Sequence, residues 1–232
     1  MIIDWSSILL LSFGLGLMHA LDADHIMTIS MLANKKQSIR RTVMFSANWA
    51  IGHGTTLAIA GLLLFGLNLS IPENLQYGAE VAVGLLLISL GLYSFWQFRV
   101  EKIKLVQHQH GEITHTHWQL PNHANNPTKS ESISSIKAQH KPVMIGMLHG
   151  LAGSAPALAL VPLVSSGQLS LGLKYLLIFS MGSLLAMVLF SMTFSYFQKL
   201  LQTRFQSVFY WNQRIFALGS IALGGYWLTL AI

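Results

Sequence analysis

Residues 18–25 read "MHALDADH", between "ILLLSFGLGL" (8–17) and "IMTISMLA" (26–33). Two carboxylates, Asp22 and Asp24, and two imidazoles, His19 and His25, thus stand in a run that otherwise reads as hydrocarbon. In a bilayer such groups are costly unless they pair, line a wet cavity or hold an ion. Whether the surrounding run is a membrane span therefore decides both the fold and the chemistry.

The rest of the chain answers that question. Hydrophobic residues make up 53% of 232 and charged residues only 9%, against about 25% charged in soluble domains. Apolar stretches long enough to cross a bilayer recur at 6–31, 42–67, 77–98, 143–165, 170–197 and 209–230,. The expected fold is an all-α polytopic membrane protein with six transmembrane helices. No short signal peptide is visible, and the first stretch reads as a retained span. Cysteine is absent, so any bound metal uses nitrogen and oxygen, with thioether as the one soft supplement.

Basic residues set the orientation. Lys35, Lys36, Arg40 and Arg41 lie between spans one and two, and Arg99, Lys102, Lys104, Lys129, Lys137 and Lys141 between three and four. Lys199, Arg204 and Arg214 lie between five and six, and Lys174 alone falls on the other side. Positive loops stay cytoplasmic, so both termini are expected outside a cell (inner) membrane. Trp5 and Trp227 then mark the outer interface, Trp96 and Trp211 the inner one,. The net charge of +6 is accordingly topological bias and not a nucleic-acid footprint.

The halves resemble one another. "FGLGLMHALDADH" (13–25) aligns with "VMIGMLHGLAGSA" (143–155), setting His19 opposite His149, and "ISLGLYSFW" (88–96) aligns with "IALGGYWLT" (221–229). Three spans per half make the repeat inverted, which places a binding site near the midplane at irregular helices. The expected organisation is a first three-helix half at 1–98, a polar loop at 99–142 and a second half at 143–232.

On an ideal helix His19, Asp22 and His25 project within an arc of roughly 120°, whereas Asp24 points elsewhere. Including Asp24 requires a distortion or a second partner. Imidazole nitrogen with carboxylate oxygen suits divalent nickel, cobalt, copper, iron or zinc better than magnesium or calcium. The bland alternative is a buried Asp–His charge pair. Two further histidines favour metal: His53 in "WAIGHGTT" (49–56) and His149 in "HGLAGSAP" (149–156) fall at the same expected depth. Small residues flank both, allowing close helix approach, and Pro156 is expected to kink span four. Asn48, Thr55, Thr56, Ser154 and Ser183 are candidates to orient the ligands, although ordinary helix packing explains such groups equally. Glu80 and Lys174 read as interfacial residues, and the methionines as packing, with Met18 beside His19 the one worth attention.

"HALDADHI" (19–26) resembles the signature of the nickel/cobalt transporter family, in which a histidine, four intervening residues and then Asp-His occupy a transmembrane helix. "GHGTT" (52–56) resembles that family's second histidine motif, and "HGLAGSAP" looks like its urease-accessory, permease-like branch. The resemblance implies secondary transport of Ni²⁺ or Co²⁺ as substrate, with no tightly bound cofactor. His19, Asp24 and His25 match the essential positions and His53 the second motif. Met18 stands where uptake members carry arginine, and a Gly-Ser segment (150–154) replaces their acidic third motif. These differences bear on direction and ion preference more than on metal binding.

The expected metal site is therefore His19, Asp24, His25 and His53, with Asp22 and His149 in reserve. The polar segment 99–142 adds His108, His110, His115, His117 and His123 within sixteen residues. Its Pro, Asn and Ser content argues for disorder. Its histidines are read as an auxiliary, weakly chelating cytoplasmic cluster, or as a plain solvated linker. Neutral imidazole is the binding form, so occupancy there falls below about pH 6.

No GxxxxGK[ST] motif appears, so the chain carries no ATPase of its own. A homo-oligomer or an accessory subunit stays open. Two other classes compete with transport: an accessory protein delivering nickel to a metalloenzyme, and an intramembrane metalloenzyme, which the absence of H-E-x-x-H disfavours.

Overall fold

A computed structural model describes residues 5–33, 38–63, 67, 72–100, 104–110, 113–119, 131–152 and 169–230. Lys35, Lys36, His123, Lys129, Ser154 and Pro156, together with the outer part of the expected fourth span, lie outside the described residues.

The described chain is helical apart from one hairpin. In order come α1 (Trp5–His19), α2 (Ala23–Ala33), α3 (Ile39–Gly61), α4 (Glu73–Val100), β1 (Lys104–His110), β2 (Ile113–Gln119), α5 (Glu131–Ala152), α6 (Leu169–Arg204) and α7 (Gln206–Leu230). The polarity pattern is inverted relative to a water-soluble bundle. Leu10, Met144, Leu177, Ile215 and Leu230 are each more than 60% exposed, whereas Ser12, Thr28, Ser30, Ser46, His25 and His53 are fully buried. Apolar side chains outside and polar ones inside suit a hydrocarbon solvent.

Among the described residues two helices are long and apolar enough to cross a membrane, Glu73–Trp96 of α4 and Ser170–Arg204 of α6. Counting the bent pair Ser6–His19 and Ala23–Met31 as one span makes three. The other three expected spans correspond to α3, α5 and α7, each diluted by polar residues: Arg40, Arg41 and His53 in α3, the stretch Glu131–Lys141 in α5, and Asn212, Gln213 and Arg214 in α7.

The helices pack as α1 on α6, α3 on both α5 and α6, and α4 on α7, with α2 touching α3, α4, α6 and α7. Small residues set these contacts. A Cβ at Gly16 would strike the Phe179 carbonyl and one at Gly182 the Phe13 carbonyl, so α1 and α6 meet backbone to backbone. Gly52 meets the Val143 carbonyl and Gly146 the Trp49 carbonyl, bringing α3 equally close to α5. Gly84 and Gly224 do the same for α4 and α7. Such approach maximises dispersion contacts where lipid supplies no hydrophobic drive between helices. Hydroxyls add cross-helix bonds: Ser12 donates to the Tyr175 carbonyl (2.6 Å), Ser183 to the Gly16 carbonyl (3.0 Å) and Ser220 to the Leu87 carbonyl (2.7 Å).

Two features differ from the sequence reading. The first apolar run is not one helix: it breaks at residues 20–22 and bends by 51°. The segment 99–142, read as an unstructured loop, carries the antiparallel pair β1–β2 and the opening turns of α5. The alternation of Thr and His in "ITHTHWQ" suits a strand,, and that signal competes with the Pro, Asn and Ser content further along.

Candidate metal centre

The break at residues 20–22 builds the site. The last regular helical bond of α1 runs from the Ala20 N–H to the Gly16 carbonyl (3.2 Å). The Leu21 N–H then bonds the Met18 carbonyl (2.9 Å) and the Asp22 N–H the His19 carbonyl (3.0 Å), tightening the chain to i→i+3 turns. α2 restarts with Ile26 N–H on the Asp22 carbonyl (3.0 Å). His19 therefore caps the C-terminal end of α1, while Asp24 and His25 lie in the first turn of α2. Ser183 holds the Gly16 carbonyl from α6, pinning the turn that precedes His19.

Three imidazoles converge there. One ring nitrogen from each of His19, His25 and His53 lies within 4.8 Å of the other two. His19 Nε2 and His53 Nε2 are 3.3 Å apart. The His25 ring centroid is 4.8 Å from that of His19 and 5.3 Å from that of His53. His25 and His53 are fully buried. His149, buried on α5, stands with its ring 5.6 Å from that of His25.

The carboxylates occupy the opposite nitrogens. His19 Nδ1 donates to Asp22 Oδ2 (2.9 Å) and His25 Nδ1 to Asp24 Oδ1 (3.0 Å). His149 Nδ1 donates to the Ile145 carbonyl (3.0 Å). In all three rings Nδ1 thus carries the proton of the neutral form, which leaves Nε2 as the electron-pair donor. Among the described residues, Nε2 of His25 and of His149 is buried with no hydrogen-bond partner, as is Nδ1 of His53. A buried acceptor left unpaired is costly, and a cation held between the rings would satisfy His25 Nε2. An oxygen acceptor thus stands behind His19, His25 and His149, though not behind His53, and such an acceptor is what orients histidine ligands at metal sites,.

Of the residues singled out in the sequence, His19, His25 and His53 are brought together, and His149 stands beside them. Asp22 and Asp24 reach the site through their neighbours' rings. Thr55 bonds the Ile51 carbonyl (2.7 Å), and Thr56 those of Gly52 and Met147 (each 3.2 Å), so these hydroxyls serve helix geometry and the α3–α5 seam instead of the imidazoles. For His108, His110, His115 and His117 the structure gives the backbone register alone.

Two aromatic residues escaped the sequence reading. Trp49, fully buried, stacks on His25 at 5.2 Å and 27° and meets His149 edge-on at 5.1 Å. Phe179 lies 5.3 Å from His19. The available signal for Trp49 was its place one turn before His53, hence on the same helix face. Nothing in the sequence near Phe179 links it to His19, because α1 and α6 meet only in the fold.

Residues 5–224 match the family described as high-affinity nickel-transport protein, NicO. The urease accessory protein UreH of Bacillus sp. is 30% identical over 189 residues, which cover 82% of this chain and 76% of that one. A high-affinity nickel transport protein of Cupriavidus necator is 33% identical over 88 residues, covering 37% of this chain and 25% of its own. No solved structure matches. With nearly the whole chain inside the family match, and the histidine motifs of α1, α2 and α3 meeting at one point, the chain belongs to the NicO family of high-affinity nickel-transport proteins.

Proposed function

We propose that this protein carries nickel, with cobalt as a second cargo, across the cell membrane as a secondary transporter, and that it holds the dehydrated ion at the break between α1 and α2. One observation carries the reading: three imidazoles on α1, α2 and α3, those of His25 and His53 buried and that of His19 partly so, offer nitrogens within 4.8 Å of one another, inside a molecule whose outer surface is apolar. His19, His25 and His53 are the ligands, and His149 is the neighbouring donor. Asp22 and Asp24 fix the rings from behind and offset the charge of the ion. Nitrogen donors suit late divalent metals, and the absence of a continuous helix at the site supplies the backbone freedom that a carrier needs at mid-depth.

The carrier is a six-span protein of two inverted halves, its termini outside and segment 99–142 in the cytoplasm. The close contacts support this reading. Exchanging Gly16 with Gly146 and Phe179 with Trp49 turns the α1–α6 contact into the α5–α3 contact. The same exchange turns Gly182 on Phe13 into Gly52 on Val143. Between α4 and α7, the pair Gly84–Gly224 exchanges with Ala217–Gly91. Phe13 with Val143, Gly16 with Gly146 and Gly91 with Gly224 are pairs that the internal sequence repeat aligns, and the remaining pairs lie at the same offsets along the chain. Proton exchange at the imidazoles supplies the coupling, since protonated histidine cannot bind metal.

A second reading, delivery of nickel to an enzyme, is favoured by the name of one relative, a urease accessory protein. Purified protein in liposomes separates the two. The carrier reading expects Ni²⁺ counterflow that is lost in His19→Ala and His25→Ala. Metal binding without flux would favour delivery, and wild-type flux in both variants would remove the site.

A further inference from the structure

The hairpin β1–β2 presents a second arrangement of histidines, independent of the buried one. Its register pairs Lys104 with Gln119, Val106 with His117, His108 with His115, and His110 with Ile113. In an antiparallel pair, opposed residues share a face and the face alternates along each strand. His108 and His110 of β1 therefore fall on the same face as His115 and His117 of β2. Gln107, Gln109, Thr114, Thr116 and Trp118 occupy the other. The His-x-His spacing by itself places each pair on one face of its own strand. Only the register decides whether the two pairs share a face, and a slip of one residue would have set them on opposite sides.

We infer that this face is a metal site for a borderline divalent ion such as Ni²⁺ or Zn²⁺, with the cross-strand pair His108 and His115 as its centre. Directly opposed positions hold their Cβ atoms about 4.5–5.5 Å apart, close enough for two imidazoles to share one ion. His110 and His117 flank that pair on either side at about 7 Å along the strands, each able to complete a three-nitrogen set. A two-stranded hairpin is marginal alone, and an ion bridging its strands links metal binding to hairpin formation. The segment then works as a register-dependent clasp and not as a floppy chelator, holding the ion on its own side of the membrane. His123, beyond β2 in sequence, has no part in it.

The test uses the full-length protein in detergent, titrated calorimetrically with Ni²⁺ and, separately, Zn²⁺. The decisive variant moves one ligand across the sheet without changing composition, His115→Thr with Thr116→His. The inference expects this swap and His108→Asn each to weaken one class of site by at least tenfold. His110→Asn and His117→Asn weaken it less, and His123→Asn leaves it unchanged. Equal losses for every histidine removed, or full affinity in the swapped variant, would overturn it in favour of unstructured chelation. The same titration in a monodisperse His19→Ala, His25→Ala, His53→Ala background keeps the two sites apart. Hairpin binding that persists there, and still responds to the swap, supports this inference whatever becomes of the transport reading.

Discussion

His19 Nε2 and His53 Nε2 lie 3.3 Å apart where α1 meets α3. That separation matches the edge of a tetrahedron whose centre lies about 2.0–2.1 Å from each nitrogen, the usual metal–imidazole distance. Without an ion the two nitrogens share a proton, and because Asp22 holds His19 through Nδ1 the proton belongs to His53. His53 Nδ1 is then the buried atom left without a partner. An ion between the rings moves that proton to Nδ1, turning both Nε2 atoms toward the metal. His19→Gln or His53→Gln should thus weaken Ni²⁺ binding by more than the 10–100-fold typical of groups that only support a ligand, as read by equilibrium dialysis. An unchanged affinity in either variant would place the ion elsewhere.

The two carboxylates should differ in weight. Asp24 is buried against His25, whereas the Asp22 side chain is 55% exposed beside His19. A buried, charge-assisted bond to the ligand's far nitrogen fixes its ring, while an exposed one competes with water. Asp24→Asn should therefore lower Ni²⁺ affinity roughly 10–100-fold, and Asp22→Asn should lower it less. Equal effects would show that exposure does not set the strength of the support.

Packing makes a separate prediction. A Cβ at Gly146 would collide with the Trp49 carbonyl, while one at Gly14 meets nothing within 4 Å. Gly146→Ala should destabilise the detergent-solubilised protein by about 1–3 kcal/mol, the usual cost of forcing an added methyl into a packed interior. Gly14→Ala should be neutral or gain up to about 1 kcal/mol, since alanine loses less backbone freedom in a helix. Thermal unfolding of the pair checks both signs in one experiment.

Trp49 gives the site an optical reporter. Its indole stacks on His25 and meets His149 edge-on, so an ion that reorients either ring changes its surroundings. The difference in emission between wild type and Trp49→Phe should titrate with Ni²⁺ at the affinity of the buried site. It should vanish in His25→Ala. A titration indifferent to His25 would mean that Trp49 senses something else.

Much of this site was legible in the sequence because ionisable groups stand out against hydrocarbon. His19, His25, His53 and His149 could be grouped by depth alone, and ring nitrogens of the first three lie within 4.8 Å of one another with the fourth adjacent. The break at residues 20–22 was not legible: Ala20, Leu21 and Asp22 include neither proline nor glycine, and the hydrophobic run continues on both sides. Two contacts accompany the break, Ser183 of α6 on the Gly16 carbonyl and, within the turn itself, Asp22 on the His19 ring. How Asp24 joins the others was not legible, because an ideal helix turns it away from His19; the break starts a new helix at Ala23, where Asp24 bonds the ring of His25. The hairpin register was hidden for a different reason, since strand pairing depends on which residues face one another and not on composition.

The central claim is that imidazoles from α1, α2 and α3 hold a bare cation. X-ray absorption at the nickel edge tests it most directly, on Ni²⁺-loaded protein whose hairpin histidines (His108, His110, His115 and His117) are replaced by glutamine. At least three imidazole nitrogens should surround nickel, falling by one in His25→Ala. A shell of water and carboxylate oxygens, or a spectrum unmoved by loss of His25, would contradict it.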